Sequence, residues 1–220
     1  MHKDHKVSGA AISVRLCVLL LSACLAGNAG ASYPENMEGD RGYTRDFQSY
    51  QIPDVTLLDR NGAHVELRRL LSGQRPVLLQ FIFTSCQTIC PMLTAVMAQA
   101  QDELRQVDAD TRIISISIDP DHDTPERLQQ YAARFGAEGD WLFLTGAWQD
   151  VRKTLQAFDA MYEGGSKMYH KPYTFMRRGP DHEWLRLIGV NGVKDLVDEY
   201  RQLSGKRPSQ AAGEFITGSQ

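Results

Sequence analysis

The run Pro76-Val77-Leu78-Leu79-Gln80-Phe81-Ile82-Phe83 constrains this chain more than any other, because it is apolar at nearly every position and leads into Thr84-Ser85-Cys86-Gln87-Thr88-Ile89-Cys90-Pro91. A strand with one wet face alternates, whereas one that is apolar throughout is covered on both faces, as in the centre of a parallel sheet flanked by helices. Arg112-Ile113-Ile114-Ser115-Ile116-Ser117-Ile118 reads as a second buried strand and Trp141-Leu142-Phe143-Leu144 as a third. Between them, Leu93, Val96, Met97, Ala100 and Leu104 recur at helical spacing, which predicts a helix from about Pro91 to Gln106 with the proline in its first turn. A second helix is expected from Thr124-Pro125-Glu126 to about Phe135, capped by Asp123 or Thr124 and stopped by Gly136. A short third helix covers 148–158. Strands alternating with helices give the fold class: an α/β sheet with helices on both faces.

The flanking segments add antiparallel pieces. Val55–Asp59 and His64–Leu67 surround Arg60-Asn61-Gly62-Ala63, whose Asn-Gly signals a hairpin. Tyr173–Met176 and Trp184–Ile188 pair across the Gly179-Pro180-Asp181 turn, and Gly192 precedes a last helix ending near Leu203. Residues 32–50 show no clear periodicity and read as a tether, 51–203 as the domain, and 204–220 as a polar tail.

Residues 1–31 have the layout of an export leader: Lys3, Lys6 and Arg15, then the short apolar core Leu16–Leu21. That core is well below the roughly 20 residues of a spanning helix. Leu21-Ser22-Ala23-Cys24 is similar to a bacterial lipobox, which makes Cys24 a candidate lipidation site; the plainer reading is cleavage after Ala29-Gly30-Ala31. Both readings place the domain outside the cytoplasm, in the periplasm or on the outer face of a membrane, and the first tethers it there by lipid. With 24 basic and 27 acidic residues the chain has no basic excess for a phosphate backbone, so nucleic acid is not an expected partner. Its cysteines, at 17, 24, 86 and 90, are too few for a disulfide scaffold.

Cys86 and Cys90 therefore form a lone CxxxC pair where a buried strand turns into a helix. Amides and the dipole of a helix N-terminus favour the thiolate, which raises nucleophilicity and metal affinity together. If the segment is already helical, the i,i+4 spacing sets both sulfurs on one face. Two thiolates suit Cu(I), and one imidazole added to them gives a set that also holds Cu(II). From the pair alone, a redox dithiol, a metal site and two inert core cysteines all stay open.

The surrounding sequence resembles the Sco/SenC family of copper proteins, which take part in assembling cytochrome oxidase. Phe81-Ile82-Phe83-Thr84-Ser85-Cys86 through Cys90-Pro91 matches the family's FxxT-x-C-xxx-C-P signature. Ser117-Ile118-Asp119-Pro120-Asp121-His122-Asp123-Thr124-Pro125-Glu126 matches its S-x-D-P-x-x-D-T-P-E segment. The resemblance covers about residues 50–203 and implies a thioredoxin-like fold with an N-terminal β-hairpin and an inserted hairpin near the late strands. It also implies that a histidine before a late strand joins the two cysteines; here that is His170, in Met168-Tyr169-His170-Lys171-Pro172. The chain lacks the family's usual aspartate before this histidine, and Gln87 stands where many members have proline.

The function so implied is that of an extracytoplasmic copper metallochaperone, holding Cu(I) or Cu(II) through Cys86, Cys90 and His170 and serving the copper-receiving subunit of a cytochrome oxidase or another cuproprotein. The rival is a thiol-disulfide oxidoreductase in which Cys86 and Cys90 cycle through a disulfide bond, keep a partner's cysteines reduced and draw on a thiol reductant. A thiol peroxidase needs an arginine beside its cysteine that the sequence does not place. Asp119 and Asp123 read as turn and cap residues, His122 as a solvated cap neighbour, His64 and His182 as solvent-facing, and Met97 as core. Neither Met92 nor Met168 is assigned as a ligand. Pro172 is a candidate cis-proline facing the cysteines.

Overall fold

In the computed structural model, residues 42–205 are described. The leader, Cys17, Cys24, the first part of the tether and the tail beyond 205 lie outside the described residues. Eight strands form one sheet: β1 (Tyr43–Gln48), β2 (Thr56–Asp59), β3 (His64–Glu66), β4 (Val77–Ile82), β5 (Arg112–Ser117), β6 (Trp141–Thr145), β7 (Tyr173–Arg177) and β8 (Trp184–Gly189). The helices are α1 (Leu67–Leu71), α2 (Ile89–Val107), α3 (Pro125–Arg134), α4 (Trp148–Ala157) and α5 (Val193–Leu203). The sheet order is β1-β8-β7-β4-β5-β6-β2-β3. β4, β5 and β6 run parallel, and β7 lies antiparallel against the other side of β4. This is the α/β arrangement expected of a thioredoxin-like fold, with the β2–β3 and β7–β8 hairpins where the sequence puts them.

The continuous apolar run behaves as required: all six residues of β4 are buried. Its one polar residue, Gln80, donates its side-chain amide to Ser115 Oγ, which also accepts from the Trp141 indole, while Gln80 Oε1 has no hydrogen-bond partner. From the strand, Phe81 reaches an aromatic cluster, meeting Phe158 and Phe175, and Phe158 meets Tyr50 and Trp184. Helix α2 packs against α5, and the Thr94 and Tyr131 hydroxyls join α2 to α3. The hairpin turn places Gly62 at φ +80°, in the left-handed region that glycine takes without strain.

Two elements depart from the sequence reading. Residues 43–48, read as part of a tether, are the edge strand β1, paired along its length with β8. Only Tyr43 of the strand is fully buried, so it carries no apolar period to betray it. Instead, Asp46 sits opposite Arg186 and takes a two-pronged bond from its guanidinium at 2.9 and 2.6 Å, while Tyr43 donates to Glu199 of α5. Helix α1 was not anticipated either; it is one short turn that buries Leu67 and Leu71 directly after β3. The expected helix starts hold within two residues, and Thr124, not Asp123, caps α3. No peptide bond among the described residues is cis, so Pro172 is trans.

A chain trimmed to begin at residue 51 should therefore lose β1, the Asp46–Arg186 pair and the Tyr50 ring. Buried aromatic area and charge-assisted hydrogen bonds together make that a loss of about 3 kcal/mol or more. Urea unfolding of chains starting at 42 and at 51 measures it, and equal midpoints would show β1 to be dispensable.

Candidate metal centre

Strand β4 runs on into Phe83, and the chain then leaves the sheet through Thr84–Thr88 to enter α2. Ser85, Gln87 and Thr88 face solvent, while the side chains of Cys86 and Cys90 point inward. Helix α2 begins only at Ile89, so the cysteines are not two residues of one helix, as the spacing argument allowed. Cys86 belongs to the turn, its amide donating to Phe83 O at 3.2 Å, and Cys90 to the first helical turn. They meet nonetheless: the Cys90 amide points at Cys86 Sγ from 3.5 Å, and both thiols are free.

This geometry splits the two sulfurs chemically. Burial pushes the Cys86 thiol up, but bonds from the backbone and side chains of Cys90 and Thr88 outweigh it and leave its pKa lowered. Cys90 is more deeply enclosed, and burial, which the Phe83 backbone only partly offsets, pushes it up to about 12. One thiol is poised to ionise and the other is held as a thiol.

The turn is fixed from below by Asp123. Its side chain is fully buried and accepts three bonds: from the Thr84 amide at 3.0 Å, from the Thr84 hydroxyl, and from the Ser117 hydroxyl at 2.6 Å. Read in sequence as a cap, Asp123 instead ties the ends of β4 and β5 together under the cysteines. The signal was present in the close sequence of Ser117, Asp119 and Asp123, but cap and tie look alike until the partner strand is known.

His170 closes a short 3₁₀ turn, Lys167–Tyr169, just before β7, and its amide donates to Lys167 O at 3.1 Å. The ring stands edge-on to Phe81 with centroids 6.3 Å apart and to Tyr173 at 6.0 Å. Only 7% of the residue is exposed, and neither Nδ1 nor Nε2 has a hydrogen-bond partner. Burial pushes its pKa down to about 4, so the imidazole is neutral at ordinary pH. Among the described residues no group of three or more His, Cys, Asp or Glu side chains is gathered closely enough to hold a metal. The structure thus brings Cys86 and Cys90 together and sets His170 across Phe81, without closing the three into a coordination set.

The remaining candidates take the places their sequence context suggested. His122 is engaged by Arg127 at 2.7 Å, while His64 and His182 are exposed. Met97 is buried, and Met92 and Met168 are exposed at the surface. Sequence reasoning passed over Lys167, whose ammonium pairs with Asp119 and lies over the Phe83 ring.

Comparison with known proteins bears on the family and the fold. The SCO1 protein homolog of Bacillus subtilis is 35% identical over 171 residues, 73% of this chain and 86% of that protein. The solved structure of BsSco, a member of the Sco family of cytochrome c oxidase assembly proteins that has a disulfide switch, matches with a TM-score of 0.60 at 31% identity, covering 74% of this chain and 98% of its own. Arabidopsis thaliana ScoI, solved with copper bound, matches with a TM-score of 0.55 at 24% identity over 67% of this chain and 96% of its own, a likeness that concerns the fold. The family model for SCO1/SenC matches residues 44–202, from the edge strand to the last helix, and the chain belongs to that family.

Proposed function

We propose that this protein captures copper through Cys86, Cys90 and His170 outside the cytoplasm and passes it to the copper-receiving subunit of a cytochrome oxidase or another cuproprotein. The observation that carries the reading is His170, a buried neutral imidazole whose two ring nitrogens have no hydrogen-bond partner. Leaving a buried polar atom unpaired costs about 1–3 kcal/mol, and a lone pair kept bare at that expense suits a ligand. Two soft thiolates and one imidazole fit copper in either oxidation state, and so few protein ligands leave room for exchange with a partner's cysteines. Completing the set asks the loop that carries His170 to approach the thiols. Membership of the SCO1/SenC family and the oxidase-assembly role of BsSco support the reading. The leader supports export, and Cys24 supports a lipid tether.

A second reading is favoured by the unequal thiols. As a thiolate, Cys86 attacks a partner disulfide, forming a mixed disulfide and releasing one partner thiolate. Cys90 then gives up its proton and attacks the Cys86 sulfur, which releases the second partner thiolate and leaves a Cys86–Cys90 disulfide. An external thiol reductant restores the pair.

Anaerobic copper titration of the reduced protein separates the two. One equivalent bound with thiolate-to-copper absorption, weakened at least about tenfold by His170→Ala, is the expected result for a three-ligand site. Copper binding indifferent to that substitution, with disulfide reduction intact, would move the dithiol chemistry to first place.

Binding should also depend on pH. Cys90 remains protonated up to about 12, so taking up the metal displaces its proton, whereas His170, neutral above about 4, has none to lose. Affinity should rise about tenfold or more per pH unit between about pH 6 and 8. The slope should fall in Cys90→Ser; a flat profile in the unsubstituted protein would mean that Cys90 is not a ligand.

A further inference from the structure

Residues 161–171 form the loop that must present His170, and their own hydrogen bonds are local: Met168 and Tyr169 bond to Ser166, and His170 to Lys167. Gly164 and Gly165, at φ +67° and +71°, give the segment two freely turning positions. Among the described residues one hydrogen bond leaves it, from the Lys167 ammonium to Asp119. The same ammonium lies 5.5 Å from the centroid of the Phe83 ring. Both partners belong to the cysteine side of the site. Phe83 carries the carbonyl that fixes the Cys86 amide. The Asp119 amide donates to Ser117 Oγ at 3.0 Å, and its carbonyl accepts from the Asp123 amide at 2.8 Å, so it is built into the tie beneath the cysteine turn.

We infer that Lys167 is a positioning residue: its ammonium, shared between the Asp119 carboxylate and the Phe83 ring, latches the loop carrying His170 to the turn carrying Cys86. The inference rests on the copper reading above and adds to it a residue that touches no metal. An open surface ion pair does little, because water screens both charges and two long side chains lose freedom. Here Asp119 is only 13% exposed and Lys167 34%, and the aromatic face adds a second contact to the same cation. The latch limits how far the imidazole strays from the thiols before metal arrives, and so lowers the conformational entropy lost when the set closes.

Two measurements on the full-length reduced protein test it. In the metal-free state, Lys167→Met should speed amide hydrogen exchange in residues 161–171 about fivefold while leaving β4 and β5 unchanged, and Lys167→Arg, which keeps the cation and its contact with the ring, should restore the original rate. In anaerobic copper titration, Lys167→Met and Asp119→Asn should each weaken binding about fivefold, and the double variant should lose no more than either alone, since both remove one interaction. Raising the salt should bring the unsubstituted protein towards the Lys167→Met value. Unchanged exchange, exchange that rises equally in β4 and β5, or copper binding that is unchanged or tighter in Lys167→Met would overturn the latch. If the unsubstituted protein takes up no copper, the copper reading falls, and the exchange result alone decides whether the loop is latched.

Discussion

Asp123 is the residue on which the site depends. A carboxylate in a protein interior needs its lone pairs satisfied, and here they are met by the amide and hydroxyl of Thr84 and the hydroxyl of Ser117. Those donors come from the ends of two neighbouring parallel strands. The chain therefore leaves β4 in one direction, with the cysteine turn hung from a fixed point and not from the solvent-facing Ser85, Gln87 and Thr88. The same segment feeds directly into the cap of α3 at Thr124, so the second strand, its helix and the turn share an anchor.

From that anchor follows the inequality of the two thiols. Holding the turn close sets the Cys90 amide toward Cys86 Sγ and buries the Cys90 sulfur beneath it. A soft metal and a disulfide both ask for two sulfurs at short range, and the arrangement serves either. What distinguishes a metal site is the third group. The proposed copper set uses the His170 imidazole, whose ring nitrogens have no hydrogen-bond partner, whereas the thiolate-disulfide exchange of the second reading is carried by the two sulfurs, and this difference is what sets the copper reading first.

Most of the fold was legible because burial on both faces leaves a strong imprint. β4 and β5 could hardly be anything other than central strands, and the Asn61-Gly62 and Gly179–Asp181 turns marked their hairpins. β1 was not legible because an edge strand needs only its ladder and one or two side-chain bonds, here Tyr43 and Asp46, which leave no period. At the site, Cys86 and Cys90 stood out by spacing and His170 through the family resemblance, whereas the roles of Asp123 and Lys167 are set by partners 39 and 48 residues distant in sequence. Such pairings are properties of the folded sheet, and no local pattern announces them.

The edges of the sheet also bear on how copies of the protein behave beside one another. An eight-stranded sheet that ends in unpaired amides and carbonyls is a template for another chain to extend. Here one end is β3, only three residues long, and the other is β1, which presents Arg45 and Asp46 along its length and lays the Arg45 guanidinium over the exposed Phe47 ring at 5.8 Å. Short length at one margin and charge at the other are the devices by which open sheets avoid stacking edge to edge. Wherever copies of the domain come close together, these edges keep proximity from becoming strand-to-strand pairing.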